Sequence, residues 1–196
     1  GTTRGRPGKD GFNIILYANG EVLTPDSGAY SYEQPWRGAF AQTRFHSTVT
    51  INGEDQTERT DAVVETWEEG PEASVFEGTL SPYSGVAHRR QAVFFRAHPS
   101  YFFIVDTLEG AMHGDAVSRF WFSPKHARCI LDDSERTAYA DAPGVTGLFV
   151  KEVFLQQPRM TVERGWYSAS YGQKVKRYGV AINAGPLQIG RASCRE

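Results

Sequence analysis

Asp26 and His46 are the residues whose types and spacing invite chemistry. Asp26 opens Asp26-Ser27-Gly28, just after an apolar segment, and His46 begins His46-Ser47-Thr48-Val49, which leads into another. A carboxylate and an imidazole at two strand ends on one side of a sheet can share a hydrogen bond that pins those ends together. Between them runs a polar, aromatic loop carrying Tyr30, Tyr32, Trp36, Arg37 and Arg44. Sugar rings stack their apolar faces on aromatic side chains, and guanidinium groups pair with carboxylate and sulfate. Tyr32, Trp36, Arg37 and Arg44 are therefore candidate contacts for an acidic saccharide. The same composition also suits plain local packing.

The elements that position these groups are short and β-like. Phe12–Ala18 is apolar and β-branched, Asn19-Gly20 is a turn signal that accepts the positive φ of a type I′ turn, and Glu21–Pro25 reads as the returning strand. This hairpin delivers Asp26 to its far end. A further strand, His46–Ile51, closes in a second turn at Asn52-Gly53. Asp10 precedes the first strand and reads as a turn-stabilising carboxylate. His88, His98, His113 and His126 are scattered without metal-ligand spacing and read as turn or surface residues.

Downstream, short apolar segments alternate with Gly, Pro and Asn turns, and no long stripe of helical period appears. The expected fold is all-β, an antiparallel β-sandwich. Trp121, Phe103 and Val105 are expected in the core, and Glu68, Glu69 and Asp132 on the surface. A net charge of −2 and a pI near 6.2 give no basic footprint for nucleic acid. No apolar run approaches the roughly 20 residues of a membrane helix. Two cysteines, Cys129 and Cys194, imply no disulfide framework. No phosphate-cradling loop, paired-cysteine motif or dinucleotide fingerprint occurs. Ile189–Glu196 reads IGRASCRE, the peptide a common sequencing adapter encodes, and is expected to be a non-native tail behind a domain spanning residues 1–188.

The run Asp10, Phe12–Ala18, Asn19-Gly20, Asp26-Ser27-Gly28, Tyr30, His46-Ser47-Thr48-Val49, Asn52-Gly53 and Gln56 resembles the C-terminal domain of the heparinase II/III-like polysaccharide lyases. Gly165-Trp166-Tyr167-Ser168 and Tyr171-Gly172 are similar to that family's late motif. The resemblance implies the super-sandwich domain of a periplasmic or secreted lyase, which cleaves acidic glycans such as alginate or glycosaminoglycans by β-elimination. It implies zinc, with Asp26 and His46 as two ligands and a third from an N-terminal histidine segment, where this chain has Arg4, Arg6 and Gly8. Family members carry most of their catalytic groups on an N-terminal α/α toroid, so this chain alone is expected to be inactive and its catalytic residues are left unassigned. The alternative is a carbohydrate-binding or structural sandwich with a decayed site.

Overall fold

A computed structural model describes residues 9–186 except Gln34, 58–60, His98, 111–113, Phe154 and Gln156; the Arg37 side chain also lies outside the description. The expected tail at Ile189–Glu196, with Cys194, falls outside the described residues, as do His98 and His113.

In chain order the elements are β1 (Tyr17–Ala18), β2 (Glu21–Val22), a one-turn helix α1 (Trp36–Ala39), a 3-10 turn (Thr43–Phe45), β3 (Val49–Ile51), β4 (Val63–Glu69), β5 (Ala73–Tyr83), β6 (Val86–Phe95), β7 (Tyr101–Gly110), β8 (Asp115–Trp121), β9 (Arg128–Asp132), β10 (Thr137–Ala142), β11 (Val145–Lys151), β12 (Arg159–Ser170) and β13 (Gln173–Pro186). Every named strand pairing is antiparallel. The fold is the all-β antiparallel sandwich class. The chain divides into two compact units, one built on 57–113 and one on 8–56 with 114–187.

The second unit carries the layered core. Its sheet β12-β13-β8-β3 faces the three-stranded sheet β11-β10-β9. Phe122, Ala138, Ala140, Met160, Val180 and Ile182 form the buried cluster, with Leu131, Leu148 and Val150 packed against it. The alternation in β10 and β13 places these residues on one face each, so the two sheets bury a shared apolar layer. β1 and β2 form the Asn-Gly hairpin, with Asn19 at φ 52° and Gly20 at φ 81°. It is shorter than the sequence implies. Beyond Tyr17 the Leu16 N–H bonds the Thr24 hydroxyl at 2.8 Å, and that side-chain bond replaces a ladder rung.

The other unit is a four-stranded meander, β4-β5-β6-β7. Cross-strand aromatic pairs line its ladders: Phe94 on Phe102 at 4.5 Å and Phe95 on Tyr101 at 4.7 Å between ring centroids. Such cross-strand pairs stabilise the sheet they belong to. This corrects the expectation of a buried β7: Phe103 is 39% exposed and Val105 half-buried, because β7 is an edge strand whose aromatic side chains pack along the ladder. Trp121 is buried, and Glu68, Glu69 and Asp132 are exposed.

His88 and His126 are not surface residues. His126 is buried, its ring nitrogens 3.2 Å from the Ser123 carbonyl and 2.9 Å from the Thr146 carbonyl. His88 is buried beside Arg90, and both bond Asp106: His88 Nε2 lies 2.7 Å from Oδ1, while Arg90 donates from Nε at 2.6 Å and from Nη2 at 2.7 Å. The register puts Arg90 directly opposite Asp106. Burial raises the Asp106 pKa, but the Arg90 charge and the hydrogen bonds from His88 and Arg90 outweigh it and hold the carboxyl far below its usual range. The folded pKa is thus below the unfolded one. Asp106 therefore contributes stability above pH about 4 that is lost as pH falls further. Asp106→Ala, which leaves the Arg90 charge buried without its carboxylate, is expected to cost about 3–5 kcal/mol. Urea unfolding at neutral pH measures this, and the gap between wild type and variant should shrink in acid.

Candidate functional site

The structure brings Asp26 and His46 together: Asp26 Oδ2 lies 3.0 Å from His46 Nδ1. His46 is buried and Asp26 partly so. Asp10 joins them, with one ligand-capable atom from each of the three residues within 4.8 Å of the others. Asp10 does not simply stabilise its turn with its carboxylate. Its backbone carbonyl closes the turn, accepting the Asn13 N–H at 2.8 Å, and the side chain takes part in the cluster.

Four devices assemble the site. Asn13 bridges the two halves: its Nδ2 donates to Asp26 Oδ2 at 2.9 Å, and its Oδ1 accepts the Ser47 N–H at 2.8 Å. Phe12, one residue earlier, sits at φ 60°, a left-handed conformation unfavourable for an aromatic residue and here imposed by the tight turn that aims Asn13. Arg177 on β13 is buried and clamps both segments from beneath. It donates from Nη1 to the Pro25 carbonyl at 2.7 Å and from Nη2 to the Phe45 carbonyl at 2.8 Å, the residues immediately before Asp26 and His46. Trp121 on β8 fixes the Arg44–Ser47 segment. Its Nε1 donates to the Arg44 carbonyl at 2.9 Å, its backbone N–H to the Ser47 hydroxyl at 3.0 Å, and its ring stacks on Phe45.

Glycine makes the fourth device. Gly28 pairs with Ser168 of β12 at φ 74°, and a Cβ there would fall 1.9 Å from the Ser168 carbonyl oxygen. Only glycine lets the Asp26-Ser27-Gly28 segment lie this close to the sheet. The Gly28 N–H also reaches back to Asp26 Oδ1 at 2.9 Å.

The electrostatics follow from these contacts. Burial raises the Asp26 pKa, but the His46 and Gly28 hydrogen bonds and the His46 and Arg177 charges outweigh it and leave the carboxyl below its ordinary value. Burial pushes the Arg177 guanidinium down to about 10, opposed by the charges of Asp26 and Tyr167. Burial also pushes the Cys129 thiol up to about 11, so this cysteine is no nucleophile near neutral pH.

Of the candidate saccharide contacts, the Arg37 side chain lies outside the described residues and the other three have distinct surroundings. Trp36 is half-buried, in T-shaped contact with Tyr30 at 5.4 Å and Trp166 at 6.4 Å. Tyr32 is exposed and stacks on Tyr171 at 5.7 Å. Arg44 is exposed, its guanidinium over the Phe45 ring. Sequence reasoning did not reach Arg177 or Lys174, which come from a strand more than a hundred residues away. The only sequence signal near them is the Trp166 and Tyr171-Gly172 pattern.

A model of the family described as "Heparinase II/III-like, C-terminal" matches residues 8–191, and the chain belongs to that family. A heparin-sulfate lyase of Bacteroides stercoris is 28% identical over 179 residues, which is 89% of this chain and 26% of that protein. The crystal structure of a mutant heparan sulfate lyase HepC from Pedobacter heparinus superposes with a TM-score of 0.86 at 22% identity, over 93% of this chain and 29% of that one. A heparinase III gene product gives a TM-score of 0.80 at 24% identity, over 90% and 28%. The chain thus spans little more than a quarter of the length of these relatives.

His46→Ala is expected to cost about 1–3 kcal/mol, the scale for a buried polar partner lost, read from the urea midpoint. Arg177→Met removes both carbonyl clamps while keeping the volume. Amide exchange of residues 26–28 and 46–48 should then accelerate, with exchange in β5 and β6 unchanged.

Proposed function

We propose that this chain is the sandwich part of a polysaccharide lyase that cleaves a sulfated, uronate-containing glycosaminoglycan by β-elimination. The observation that carries the reading is the Asp10–Asp26–His46 cluster beside the aromatic, cationic loop, in a chain of the heparinase II/III-like family. The names of the relatives support a heparin-type glycan, and nothing supports alginate. In the reaction, a base removes the C5 proton of the uronate, the C4–oxygen bond breaks, and an acid protonates the leaving oxygen. This chain would contribute one wall of the cleft, with Tyr32 against a sugar face and Arg44 toward acidic groups. The remaining catalytic groups would lie in a toroid domain of the longer protein, and the isolated chain should yield no product. A cell-envelope or extracellular location follows from such a substrate.

A divalent ion, zinc by the family resemblance, fits the donor set. Two carboxylates and an imidazole within 4.8 Å supply oxygen and nitrogen ligands, and exposed Asp10 leaves one side open. Asp10, Asp26 and His46 would hold it, and it would supply a cross-link between the 10–13 turn and the two segments that Arg177 clamps. Asn13 and the Gly28 N–H would then orient the Asp26 carboxylate as outer partners.

The test uses the longer protein with heparan sulfate and follows the ultraviolet absorbance of the unsaturated uronate. Absorbance should rise, and His46→Ala, which removes a ligand, should lower both the rate and the bound zinc. Elemental analysis should find about one zinc per chain. Binding without product would support the decayed-site reading, which the Arg4, Arg6 and Gly8 positions favour. Neither binding nor product would overturn the glycan reading.

A further inference from the structure

The β12–β13 hairpin carries a cluster that the catalytic reading does not use. Alternation on paired strands puts Arg164 and Trp166 of β12 on the same face as Lys174, Lys176 and Tyr178 of β13, with Trp166 opposite Lys176 and Arg164 opposite Tyr178. The sandwich core covers this face at the Val180–Ile182 end. At the hairpin tip it carries charge instead. The Lys174 ammonium sits within 2.9 Å of the Trp36 ring centroid, 4.5 Å of Tyr30 and 4.8 Å of Trp166. Lys176 lies over the outer side of Trp166 at 5.8 Å, and the Arg164 guanidinium lies over Tyr178 at 3.8 Å. Among the described residues none of these three cations has a carboxylate partner, whereas Arg90, Arg119, Arg128 and Arg136 each do. Exposed Tyr171 at the turn stacks on exposed Tyr32, and the Gly172 N–H ties the turn to the Tyr30 carbonyl at 2.7 Å.

This arrangement is ordered before any ligand arrives. Three rings hold a lysine whose chain would otherwise be mobile, and ring faces attract a cation without neutralising its charge. The ammonium therefore keeps its net charge for an incoming anion. The Tyr32–Tyr171 pair adds exposed aromatic surface, which stacks on the apolar face of a sugar. A surface that pairs unneutralised cations with exposed aromatic rings, on a chain of net charge −2, matches a ligand with both anionic groups and pyranose faces.

We propose that the β12–β13 hairpin tip and the 30–36 loop form a saccharide subsite, in which Tyr32 and Tyr171 stack on a sugar ring and Lys174 and Lys176 pair with its sulfate or carboxylate groups. The subsite lies along the chain from the acid–histidine cluster. Asp26 is in the cluster, Gly28 bridges to Ser168, and Tyr30 is tied to Gly172. Residues 26–30 join the two places, with Gly28 at φ 74° turning the chain between them. The proposal rests on the acidic-glycan reading above, shares Tyr32 with it, and adds Tyr171, Lys174 and Lys176.

Calorimetric titration of this chain with a heparan sulfate tetrasaccharide tests it. The desulfated tetrasaccharide and a neutral chitin tetrasaccharide serve as comparison probes. Lys176→Gln and Tyr171→Ala alter exposed positions and should each weaken binding several-fold. Lys174→Gln with Lys176→Gln should weaken it at least about tenfold and flatten its salt dependence. Binding of the neutral probe should respond to Tyr171→Ala and not to the lysine changes. If these variants bind like wild type while Arg44→Gln loses affinity, the subsite is overturned and the glycan reading stands. If wild type with an intact sheet binds neither acidic tetrasaccharide, the subsite is overturned, and the cleavage assay on the longer protein decides the glycan reading by itself. Circular dichroism of Lys176→Gln and Tyr171→Ala checks that the sheet is intact.

Discussion

The site depends on one buried cation. Arg177 gives up nearly all its hydration and, among the described residues, has no direct ion pair; two backbone carbonyls, the Trp121 ring and the field of Asp26 take its place. Its Nε has no hydrogen-bond partner among the described residues. Burying a charge on such terms is unfavourable for the sheet taken alone. What the arginine provides is geometric, because its planar fork spans two chain segments that have no ladder between them. Pro25 and Phe45 are twenty residues apart, yet their carbonyls converge on one guanidinium. Asp26 and His46, the next residues along, then have little choice but to meet. The carboxylate so positioned lies close enough to favour the charged arginine in return, so cluster and clamp support one another.

Space for the clamp comes from Trp121. The indole lies against β12 and β13 where Gly165 and Gly179 leave room, and a Cβ at either glycine would come within 2.5 Å of its ring. Arg177 packs over the same ring at 5.1 Å and Phe45 stacks on it at 6.4 Å. The tryptophan is thus a floor with the arginine on one part and the histidine-bearing segment on another. Its two N–H groups reach that segment through the Arg44 carbonyl and the Ser47 hydroxyl. Apolar burial and polar positioning are carried by the same side chain here, which is what an amphipathic indole allows.

The sequence made some of this legible. Asn19-Gly20 and Asn52-Gly53 adopt the positive φ values their types favour, because the left-handed conformation is a local property. The meeting of Asp26 and His46 could be argued from strand ends, although β2 and β3 fall in different sheets and the Arg177 clamp joins them. Asp10 looked like a turn residue because its turn is real, and nothing local says where its carboxylate goes. His88 looked like a surface histidine because its partner, Asp106, is supplied by the neighbouring strand in a register that alternation alone does not fix. Phe103 looked buried because an unbroken apolar run reads as a covered strand, and an edge strand with stacked cross-strand aromatics satisfies the same pattern. Arg177 and Lys174 share a strand and opposite faces, and only the pairing of β12 with β13 tells which of them goes under the site and which to the surface.

That alternation also keeps the acid–histidine cluster and the hairpin tip apart as two environments on one strand. On β13, odd-numbered Arg177 faces the loop segments, while even-numbered Lys174 faces the Tyr30 and Trp36 rings and Lys176 the Trp166 ring of β12. Residues 26–30 pass from the first environment to the second, crossing the sheet edge at the Gly28–Ser168 bridge. Gly28 is the pivot, since any side chain there would strike the Ser168 carbonyl and lift the segment off the edge. Lifting it would move Asp26 away from His46 and Tyr30 away from the lysine cage together. Asp26 and Tyr30 therefore both owe their positions to the glycine between them.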